Sequence, residues 1–367
     1  MKKKEKKTIG ILVQRYYGGG IEKVISLLIP LYLQRGYKVV LMTDRSTYDK
    51  DKDFFVDKSV IRYFLQYGME DNQEQRIKEL IQCIDTYDID VVCFHSGYAR
   101  LETFYEMLAV KLHGKSVLLE IHSAIQTIMD NNRDIENQLI AMYKITDQLI
   151  VLSEYDRQFL SKNGCRCTYI PNPVDKKLEL FDPEKIRKSA DTIVWVGRIV
   201  QNPKCVLDTV PIIRSVKEKI PNVKLYIVGN ADQGRIYNEL RNQIKESGLQ
   251  KNIYIREYCT QIQDVYRNAD LVLMTSISES FSNVILESKV LGLPLIMYEI
   301  PWLELTADQK GVIAVKQRDI EGIAEKIIMV LEDYELRKRL AMEARESAEF
   351  FLSYDIGKKW EDCFKEI

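Results

Sequence analysis

The chain has 367 residues, 46% of them hydrophobic and 29% charged, which is typical of a globular protein of two domains rather than a disordered or fibrous chain. Its formal net charge of −1 argues against a nucleic-acid-binding protein, which needs a large basic surface. Seven cysteines, an odd number scattered along the chain, favour a reducing cytoplasm over a disulfide framework, and no apolar run approaches the ~20 residues of a membrane span.

The chain begins with a basic segment, MKKKEKK, which is followed only by the short apolar run TIGILV and so does not form a secretory signal. We expect a solvated tail on a cytoplasmic protein. The alternative is a weak peripheral contact with anionic lipid, worth ~1 kcal/mol for each lysine near the membrane surface.

Apolar strands alternate with amphipathic helices along nearly the whole chain, which predicts an α/β protein whose parallel sheets carry helices on both faces. The strands predicted in the first half are TIGILVQ, YKVVLMT, DVVCFH, SVLLEIH and DQLIVLS. Between the first two, IEKVISLLIPLYLQRG repeats its apolar positions at helical spacing and ends at Gly36. The second half restarts with TIVWVG and continues through VKLYIVG, NIYIREY, ADLVLM and LPLIMYE.

A segment rich in proline and charge, IPNPVDKKLELFDPEKIRKSAD, separates the two halves. We place the domain boundary there, with residues 1–172 in the first domain and the second domain starting at 173. Each half is predicted to be a Rossmann-like, doubly wound domain. Because such sheets bind ligands beyond the carboxyl ends of their strands, two domains facing one another across a cleft would bring both sets of strand ends to one site.

Two glutamates eight positions apart follow the predicted strand ADLVLM. Glu279 falls in the strand-to-helix turn, and Glu287 lies just over one turn into a helix with Ser282 or Asn283 as its N-cap. Eight residues span at most ~12 Å, close to the reach of a diphosphate with a sugar at either end. Carboxylates accept hydrogen bonds from sugar hydroxyls, and the helix N-terminus between them suits a diphosphate. Taken alone, the pair also fits a capping residue and a solvated helix face.

Two cations follow the first strand of the second half, in VGRIVQNPK. The guanidinium of Arg198 can bind phosphate bidentately, and the ammonium of Lys204 adds a compact charge. Basic residues on loops are common, so each signal is weak by itself. Their placement at strand ends in the same half as Glu279 and Glu287 favours a diphosphate site.

Three glycines, Gly18–Gly20, follow the first strand and open the first helix, where backbone could approach a ligand closely. The simpler interpretation is a flexible turn. A nicotinamide-dinucleotide site is a further alternative, because Asp44 closes the second strand at about the spacing of a ribose-binding acid. Lys23 occupies the position where that fingerprint needs a third small residue, which weakens this alternative.

Together these segments resemble family 4 of the retaining glycosyltransferases, which have the GT-B fold. SESFSNVILESKVLGLPLI is similar to the E-x7-E region of that family, and Gly19-Gly20-Ile21-Glu22 is similar to its Gly-Gly-x-Glu loop. Six further segments are similar to motifs of that family and occur in the same order: DVVCFHS, LLEIHS, VLSEYDR, YIPNPVD, VGRIVQNPK and LYIVGN. The ending, FLSYDIGKKWEDCF, resembles the last helix, which crosses back to the first domain. The resemblance thus implies a second domain over 173–350 and a final helix over 351–367.

The resemblance also implies roles for individual residues. Arg198 and Lys204 would hold the diphosphate of the donor, Glu287 the ribose, and Glu279 the transferred sugar. His122 would contact the sugar near the reacting centre. The base, which we expect to be uracil, would lie near Tyr258. The remaining donor-binding positions are Gly19, Gly20, Ser280, Phe281, Ser282, Asn283 and Val284.

The reaction implied is transfer of a sugar from a UDP-sugar to a hydroxyl of a glycan or lipid-linked acceptor in cell-envelope polysaccharide synthesis, with retention and without a metal. The departing diphosphate would help to deprotonate the acceptor, and we favour this over a double displacement with Glu279 as nucleophile.

The sequence departs from the family pattern at three places. The loop between Arg198 and Lys204 is one residue longer, Ala231 replaces a glycine, and Ser282 replaces another. A catalytically silent binding protein and an NAD-dependent oxidoreductase remain as alternatives.

Other signals favour structural roles. The repeat Asp49-Lys-Asp51-Lys-Asp53 resembles a metal-binding Asp-x-Asp, but it lies in a charged loop. Cys165-Arg-Cys167 lacks the partners of a zinc site. His113 is expected at the surface, His95 either in the cleft or satisfied at a strand end, and Tyr16 and Tyr17 either on an acceptor sugar or packed within the first domain.

Overall fold

The computed structural model describes residues 6–96, 100–176, 178, 182, 186–229, 234–257 and 262–367. The chain forms two compact domains. The N-terminal domain comprises Met1–Pro173 and Asp355–Ile367, and the C-terminal domain comprises Val174–Tyr354. The first division lies one residue from the predicted boundary, and the chain returns to the N-terminal domain four residues later than predicted.

The N-terminal domain is built on a parallel sheet. Its strands are β1 Thr8–Leu12, β2 Lys38–Asp44, β3 Ile61–Leu65, β4 Val91–Ser96, β5 Ser116–Ile121, β6 Gln148–Val151 and β7 Cys167–Tyr169. They pair in the order β3-β2-β1-β4-β5-β6-β7, all parallel. The helices that connect them are α1 Gly20–Gln34, α2 Gln73–Tyr87, α3 Leu101–Leu112, α4 Ile125–Asn131, α5 Glu136–Lys144 and α6 Glu154–Lys162.

The C-terminal domain repeats this architecture with six strands. They are β8 Thr192–Val196, β9 Lys224–Val228, β10 Ile253–Arg256, β11 Leu271–Met274, β12 Leu295–Tyr298 and β13 Val312–Val315. Their order is β10-β9-β8-β11-β12-β13, again all parallel. Its helices are α7 Thr209–Lys219, α8 Arg235–Glu246, α9 Ile262–Tyr266, α10 Asn283–Val290, α11 Ile320–Glu332 and α12 Tyr334–Ser353.

The predicted α/β class with two doubly wound parallel sheets is confirmed. Central strands such as β1 and β11 are buried along their whole length, because helices cover both faces of each sheet. The strand order reverses between β1 and β4 in one sheet and between β8 and β11 in the other. Such switch points open a crevice at the carboxyl ends of the strands, and this is where ligands bind in doubly wound sheets.

The last helix, α13 Ile356–Glu366, belongs to the N-terminal domain and packs against α1. Trp360 and Phe364, one turn apart on its buried face, contact the ring of Tyr32 at centroid distances of 5.5 and 5.2 Å. Lys7 donates through Nζ to the carbonyl oxygen of Phe364 at 2.9 Å, and Lys6 pairs with Glu361 at 3.1 Å. Lys7 of the basic segment therefore stabilises the C-terminal turn of α13, where cations are favoured, and Lys6 pairs with the middle of the same helix. Within the described ranges, no helix is long and apolar enough to cross a membrane.

Candidate active site

The crevice of the C-terminal sheet begins where β8 ends. The backbone N–H of Gly197 donates to the carbonyl oxygen of Val228 at 3.0 Å, and a Cβ on Gly229 would lie 1.7 Å from the carbonyl oxygen of Gly197. The two strand ends therefore approach so closely that Gly229 must be glycine. Arg198 follows this contact and is exposed, and its guanidinium has no hydrogen-bond or ion-pair partner among the described residues.

Two hydrogen bonds fix the loop that carries Lys204 to the segment after β11, and a third joins that segment to β8. Thr275 accepts from the indole nitrogen of Trp195 at 2.9 Å and donates to the carbonyl oxygen of Lys204 at 2.7 Å. The backbone N–H of Ile277 donates to the carbonyl oxygen of Pro203 at 3.0 Å. The backbone on both sides of the crevice is thus held together by groups that are not themselves predicted to bind a ligand.

As a result, Lys204 and Glu279 contact each other directly. Lys204 Nζ lies 2.5 Å from Glu279 Oε1, and the exposed fractions of the two side chains are 17% and 13%. The sequence placed these residues at separate subsites, for phosphate and for sugar, and the structure brings them together. The diphosphate that the resemblance implies would have to share or displace this ion pair to reach the lysine.

The helix after Glu279 offers its N-terminus to the same crevice. α10 begins at Asn283 with Ser282 as the N-cap residue, as predicted, but the Ser282 hydroxyl makes no capping bond and points to Met274 Sδ, 3.5 Å away. Ser280, Phe281 and Ser282 are buried. The positive end of the helix dipole therefore lies next to the Lys204–Glu279 pair, an arrangement that favours an anion.

Glu287 lies in the second turn of α10 and is oriented by a residue that the sequence analysis did not identify. Tyr266, at the end of α9 and 2% exposed, donates its hydroxyl to Glu287 Oε2 at 2.9 Å. A buried phenol that donates to a carboxylate fixes the direction of that carboxylate.

The glycine-rich loop lies at the switch point of the N-terminal sheet. Gly18 has a left-handed backbone with φ of 72°, and Gly19 is the N-cap residue of α1. A Cβ on Gly19 would lie 2.0 Å from Glu22 Oε2, and Glu22 also pairs with Arg15 at 3.1 Å. The Glu22 carboxylate thus occupies the N-terminus of α1, and Gly19 leaves the space that this side chain fills.

Asp44, the residue behind the nicotinamide alternative, is committed to a buried ion cluster. It is 1% exposed and lies 2.6 Å from Arg76 Nη1, while Arg76 Nε lies 2.5 Å from Glu106. Burial raises the pKa of Asp44 despite the opposing effect of Arg76. An acid held in this way is not presented to a ribose, so the geometry removes the observation that supported a dinucleotide site.

Two strand-end histidines and a glutamate converge in the N-terminal domain. His95 on β4 pairs in register with Glu120 on β5, and His122 follows two residues later on the same face of the sheet. His95 Nδ1 lies 2.9 Å from Glu120 Oε2 and 3.2 Å from His122 Nε2, and the Glu120–His122 contact is 3.5 Å. These are ligand-type atoms close enough together to hold a metal ion. Among the described residues, however, His95 Nε2 is buried without a hydrogen-bond partner, whereas a metal-bound histidine normally donates its second N–H.

Burial and the contacts within this cluster determine the protonation states of His122 and Glu120. Burial lowers the pKa of His122 to about 4, although Glu120 acts in the opposite direction. Burial would raise the pKa of Glu120, but the two histidines outweigh it and the pKa is lowered. His122 is therefore a neutral ring beside an ionised carboxylate at neutral pH.

Several of the structural roles favoured for the weaker motifs agree with what the residues contact. Asp53 pairs with Arg62 at 2.9 Å and Asp49 with Lys52 at 3.0 Å. His113 is at the surface, where it contacts Asp85. Tyr16 is 1% exposed and packs on Phe54, so it is not available to an acceptor sugar. Two positions, Tyr258 and Ala231, lie outside the described residues.

Comparisons with solved structures identify the fold class of the chain. Solved structures that it matches are sucrose-phosphate synthase from Thermosynechococcus elongatus, a mutant of TarM from S. aureus in complex with UDP, Fondaparinux and alpha-GlcNAc-glycerol, and Anabaena HepE in complex with UDP and glucose. The TM-scores are 0.80, 0.78 and 0.75 at 16%, 13% and 16% identity, over 98% of this chain and 99%, 99% and 100% of the others. The fold is that of the GT-B glycosyltransferases.

Two family models match consecutive parts of the sequence: Glycosyltransferase Family 4 over residues 18–178 and Glycosyl transferases group 1 over residues 176–347. The chain belongs to glycosyltransferase family 4.

The relatives of known name include three bacterial proteins. An exopolysaccharide phosphotransferase of Streptomyces coelicolor is 28% identical over 60% of this chain and 23% of its own length. The poly(glycerol-phosphate) alpha-glucosyltransferase of Bacillus subtilis (strain 168) is 21% identical over 83% of this chain and 43% of its own. The amylovoran biosynthesis glycosyltransferase AmsD of Erwinia amylovora is 24% identical over 66% and 68%. The chain spans less than half of the length of the first two.

Proposed function

We propose that the protein is a retaining, metal-independent glycosyltransferase that moves a sugar from a UDP-sugar to a hydroxyl of a glycan or lipid-linked acceptor in polysaccharide synthesis. The observation that carries this proposal is the crevice after β8 and β11, where Lys204, Glu279 and the N-terminus of α10 lie together and Glu287 follows one turn later. Glu279 can accept hydrogen bonds from a sugar, Lys204 and the helix N-terminus can bind a diphosphate, and Glu287 can accept from a ribose.

The names of similar proteins support the choice of donor and acceptor. TarM and HepE have been solved with UDP, and the B. subtilis relative glucosylates a poly(glycerol-phosphate) chain. We therefore assign a UDP-sugar as donor and a polymer hydroxyl as acceptor.

In the proposed reaction the bond between the anomeric carbon and the diphosphate oxygen breaks while the acceptor oxygen bonds to that carbon on the same face. Negative charge grows on the departing diphosphate, which takes the acceptor proton. Arg198, Lys204 and the first-turn amides of α10 stabilise that charge, and stabilisation that grows with the charge raises the rate rather than only the affinity. Two cationic side chains supply the charge that a metal supplies in other transferases, so we expect turnover without one.

The role of Glu279 in this reaction is that of a hydrogen-bond acceptor. Its carboxylate is already paired with Lys204 at 2.5 Å, and a nucleophile engaged in this way is poorly placed to form a glycosyl–enzyme bond. We propose that donor binding redistributes this pair, so that the ammonium turns to phosphate and the carboxylate to a sugar hydroxyl.

A thermal-shift titration with UDP, GDP, ADP, their sugar conjugates and NAD, all in EDTA, tests the assignment of the ligand. A ligand at 100 times its dissociation constant stabilises by ~2.7 kcal/mol. We expect one UDP-sugar to stabilise the protein more than UDP, and Lys204→Ala and Arg198→Ala to abolish the shift. Lys245→Ala, an exposed lysine on α8, is the matched control. Stabilisation by NAD alone would contradict the proposal, and binding of a UDP-sugar that never turns over would favour a catalytically silent protein.

A further inference from the structure

The loop from Arg198 to Lys204 is attached to the rest of the domain by a side chain that the proposed reaction does not use. The backbone N–H of Leu207 donates to Gln201 Oε1 at 3.2 Å, and Gln201 Nε2 donates to Asp208 Oδ1 at 3.4 Å. The first bond fixes the orientation of the amide, because its oxygen must face the N–H. The nitrogen of the amide therefore faces the carboxylate.

The backbone of the loop turns around Gln201. The N–H of Cys205 donates to the carbonyl oxygen of Gln201 at 2.8 Å, and the N–H of Val200 donates to that of Arg198 at 2.8 Å. Cys205 has a left-handed backbone with φ of 50°. Lys204 immediately precedes this residue, so the conformation at Gln201 determines where both cations of the loop lie.

Asp208 is held in place by two other parts of the C-terminal domain. It is 9% exposed and accepts at 2.8 Å from the hydroxyl of Tyr298, which is fully buried at the end of β12. Arg318 Nη1, in the turn between β13 and α11, lies 2.8 and 2.9 Å from its two carboxylate oxygens. A carboxylate bound by a buried phenol and a guanidinium is a fixed point, and the loop is attached to it through Gln201.

The same turn also reaches the other side of the crevice. Gln317 Nε2 donates to the carbonyl oxygen of Ile277 at 3.0 Å and to that of Glu299 at 2.9 Å. Ile277 lies two residues before Glu279. The consecutive residues Gln317 and Arg318 thus connect both sides of the crevice to one turn of the domain.

We propose that Asp208 is a positioning residue that acts through Gln201 on the two cations of the loop. This inference rests on the proposed function, because the cations are Arg198 and Lys204, which there bind the diphosphate of the donor. The loop is one residue longer than the family pattern, and ordering a longer segment on binding costs more conformational entropy. A contact that fixes the loop before the donor arrives lowers that cost.

Exchanging the donor and the acceptor of this contact tests the proposal. Gln201→Glu keeps the length of the side chain and an acceptor for Leu207, but it places two carboxylates against each other, so titration calorimetry should show UDP binding about tenfold more weakly. In Gln201→Glu/Asp208→Asn an amide again faces a carboxylate. This double variant should bind UDP more tightly than Gln201→Glu alone, a recovery that general loss of stability does not produce.

Asn252→Leu is the matched control for a lost side-chain amide. Asn252 is 3% exposed, and its Nδ2 donates to the carbonyl oxygens of Val223 and Pro221 at 2.8 and 3.1 Å, just before β9. Its replacement should lower the urea midpoint of unfolding, while the affinity for UDP stays within about twofold of the wild type. A loss of UDP affinity as large as that of Gln201→Glu would contradict the positioning role.

Hydrogen exchange in the absence of nucleotide follows the loop itself. We expect the Cys205 amide, which donates to the carbonyl oxygen of Gln201, to exchange faster in Gln201→Glu and to regain its protection in Gln201→Glu/Asp208→Asn. An unchanged exchange rate in Gln201→Glu would overturn the inference, because the Gln201–Asp208 contact would then not fix the loop.

The two readouts fail in different ways. If the wild type binds no UDP, the proposed function is contradicted, whereas hydrogen exchange still decides whether the Gln201–Asp208 contact fixes the loop. If the wild type binds UDP and Gln201→Glu binds it as tightly, or the double variant binds it no better than Gln201→Glu, the positioning role is refuted while the transferase remains. Faster exchange throughout the domain in Gln201→Glu would indicate general unfolding and would also count against positioning.

Discussion

Replacing Glu279 by glutamine should have opposite effects on binding and on transfer. In the structure Lys204 Nζ lies 2.5 Å from Glu279 Oε1 in a half-buried ion pair. UDP needs that ammonium for its diphosphate, so Glu279 competes with the nucleotide for it. Glu279→Gln removes the competitor while it keeps the size of the side chain. We therefore expect the variant to bind UDP more tightly than the wild type and to transfer sugar more slowly.

The magnitude follows from the contact. At an effective dielectric constant of ~20, unit charges 2.5 Å apart attract by about 7 kcal/mol, but most of this is offset by the loss of hydration. A hydrogen bond to a charged group contributes about 1.5–3 kcal/mol net. The ammonium has three N–H groups and can keep part of its contact with the carboxylate when phosphate binds. We therefore take the lower end, which corresponds to UDP binding about tenfold more tightly.

The rate should change in the other direction. A neutral amide oxygen accepts a sugar hydroxyl less strongly than a carboxylate does, so kcat should fall by at least about tenfold. Isothermal titration with UDP and initial-rate assays with the UDP-sugar at saturation measure the two effects. Glu332→Gln, at the exposed end of α11, removes the same charge from the same domain and is the control for long-range electrostatics.

An unchanged or weaker affinity for UDP in Glu279→Gln would refute the reasoning, because Lys204 would then not be the phosphate ligand or would not be restrained by the pair. If Glu332→Gln also bound UDP more tightly, the higher affinity would be explained by the change in net charge rather than by the Lys204–Glu279 pair.

Three further predictions concern residues around the site and in the core. Tyr266→Phe removes the hydrogen bond to Glu287, so UDP should bind about fivefold more weakly by titration calorimetry, with kcat at saturation within about twofold of the wild type. Arg76→Ala leaves two buried carboxylates unpaired and should lower the free energy of unfolding, measured with urea, by about 3–5 kcal/mol. The pKa of His122 is near 6.5 in the unfolded chain and about 4 in the folded protein, so acid favours unfolding. As the pH falls from 6.5 to 4, the free energy of unfolding of the wild type should decrease by about 3 kcal/mol more than that of His122→Gln. The comparison with the variant is needed because Asp156, with its pKa raised to about 6, has the opposite effect.

The central strands were predictable because both faces of each sheet are covered, which makes those strands continuous apolar runs. The sequence analysis missed β3, β7 and β13, and all three are edge strands. β7 has three residues, all half-buried, and β3 is mostly half-exposed, so neither stands out from a loop by hydrophobicity. Edge strands need less apolar surface, and the register of their neighbours rather than their own composition defines them.

The site residues were predictable as types but not as contacts. Motifs located Lys204 and Glu279, but their pairing depends on hydrogen bonds from Thr275 and Ile277 that no local pattern announces. Tyr266 lies in a short helix far in sequence from Glu287. Glu120 did have a signal, because a glutamate two residues before a strand-end histidine lies on the same face of the strand.

The measurement that tests the central claim most directly is the anomeric configuration of the product. The protein would be incubated with α-configured UDP-sugars and glycerol as a small acceptor, in EDTA, and the H1 signal of the glycoside followed by NMR. The stable glycoside preserves the configuration set by the enzyme. We predict an α-glycoside, formed by the wild type without metal and lost in Lys204→Ala. A β-glycoside, or transfer that requires a divalent cation, would contradict the account.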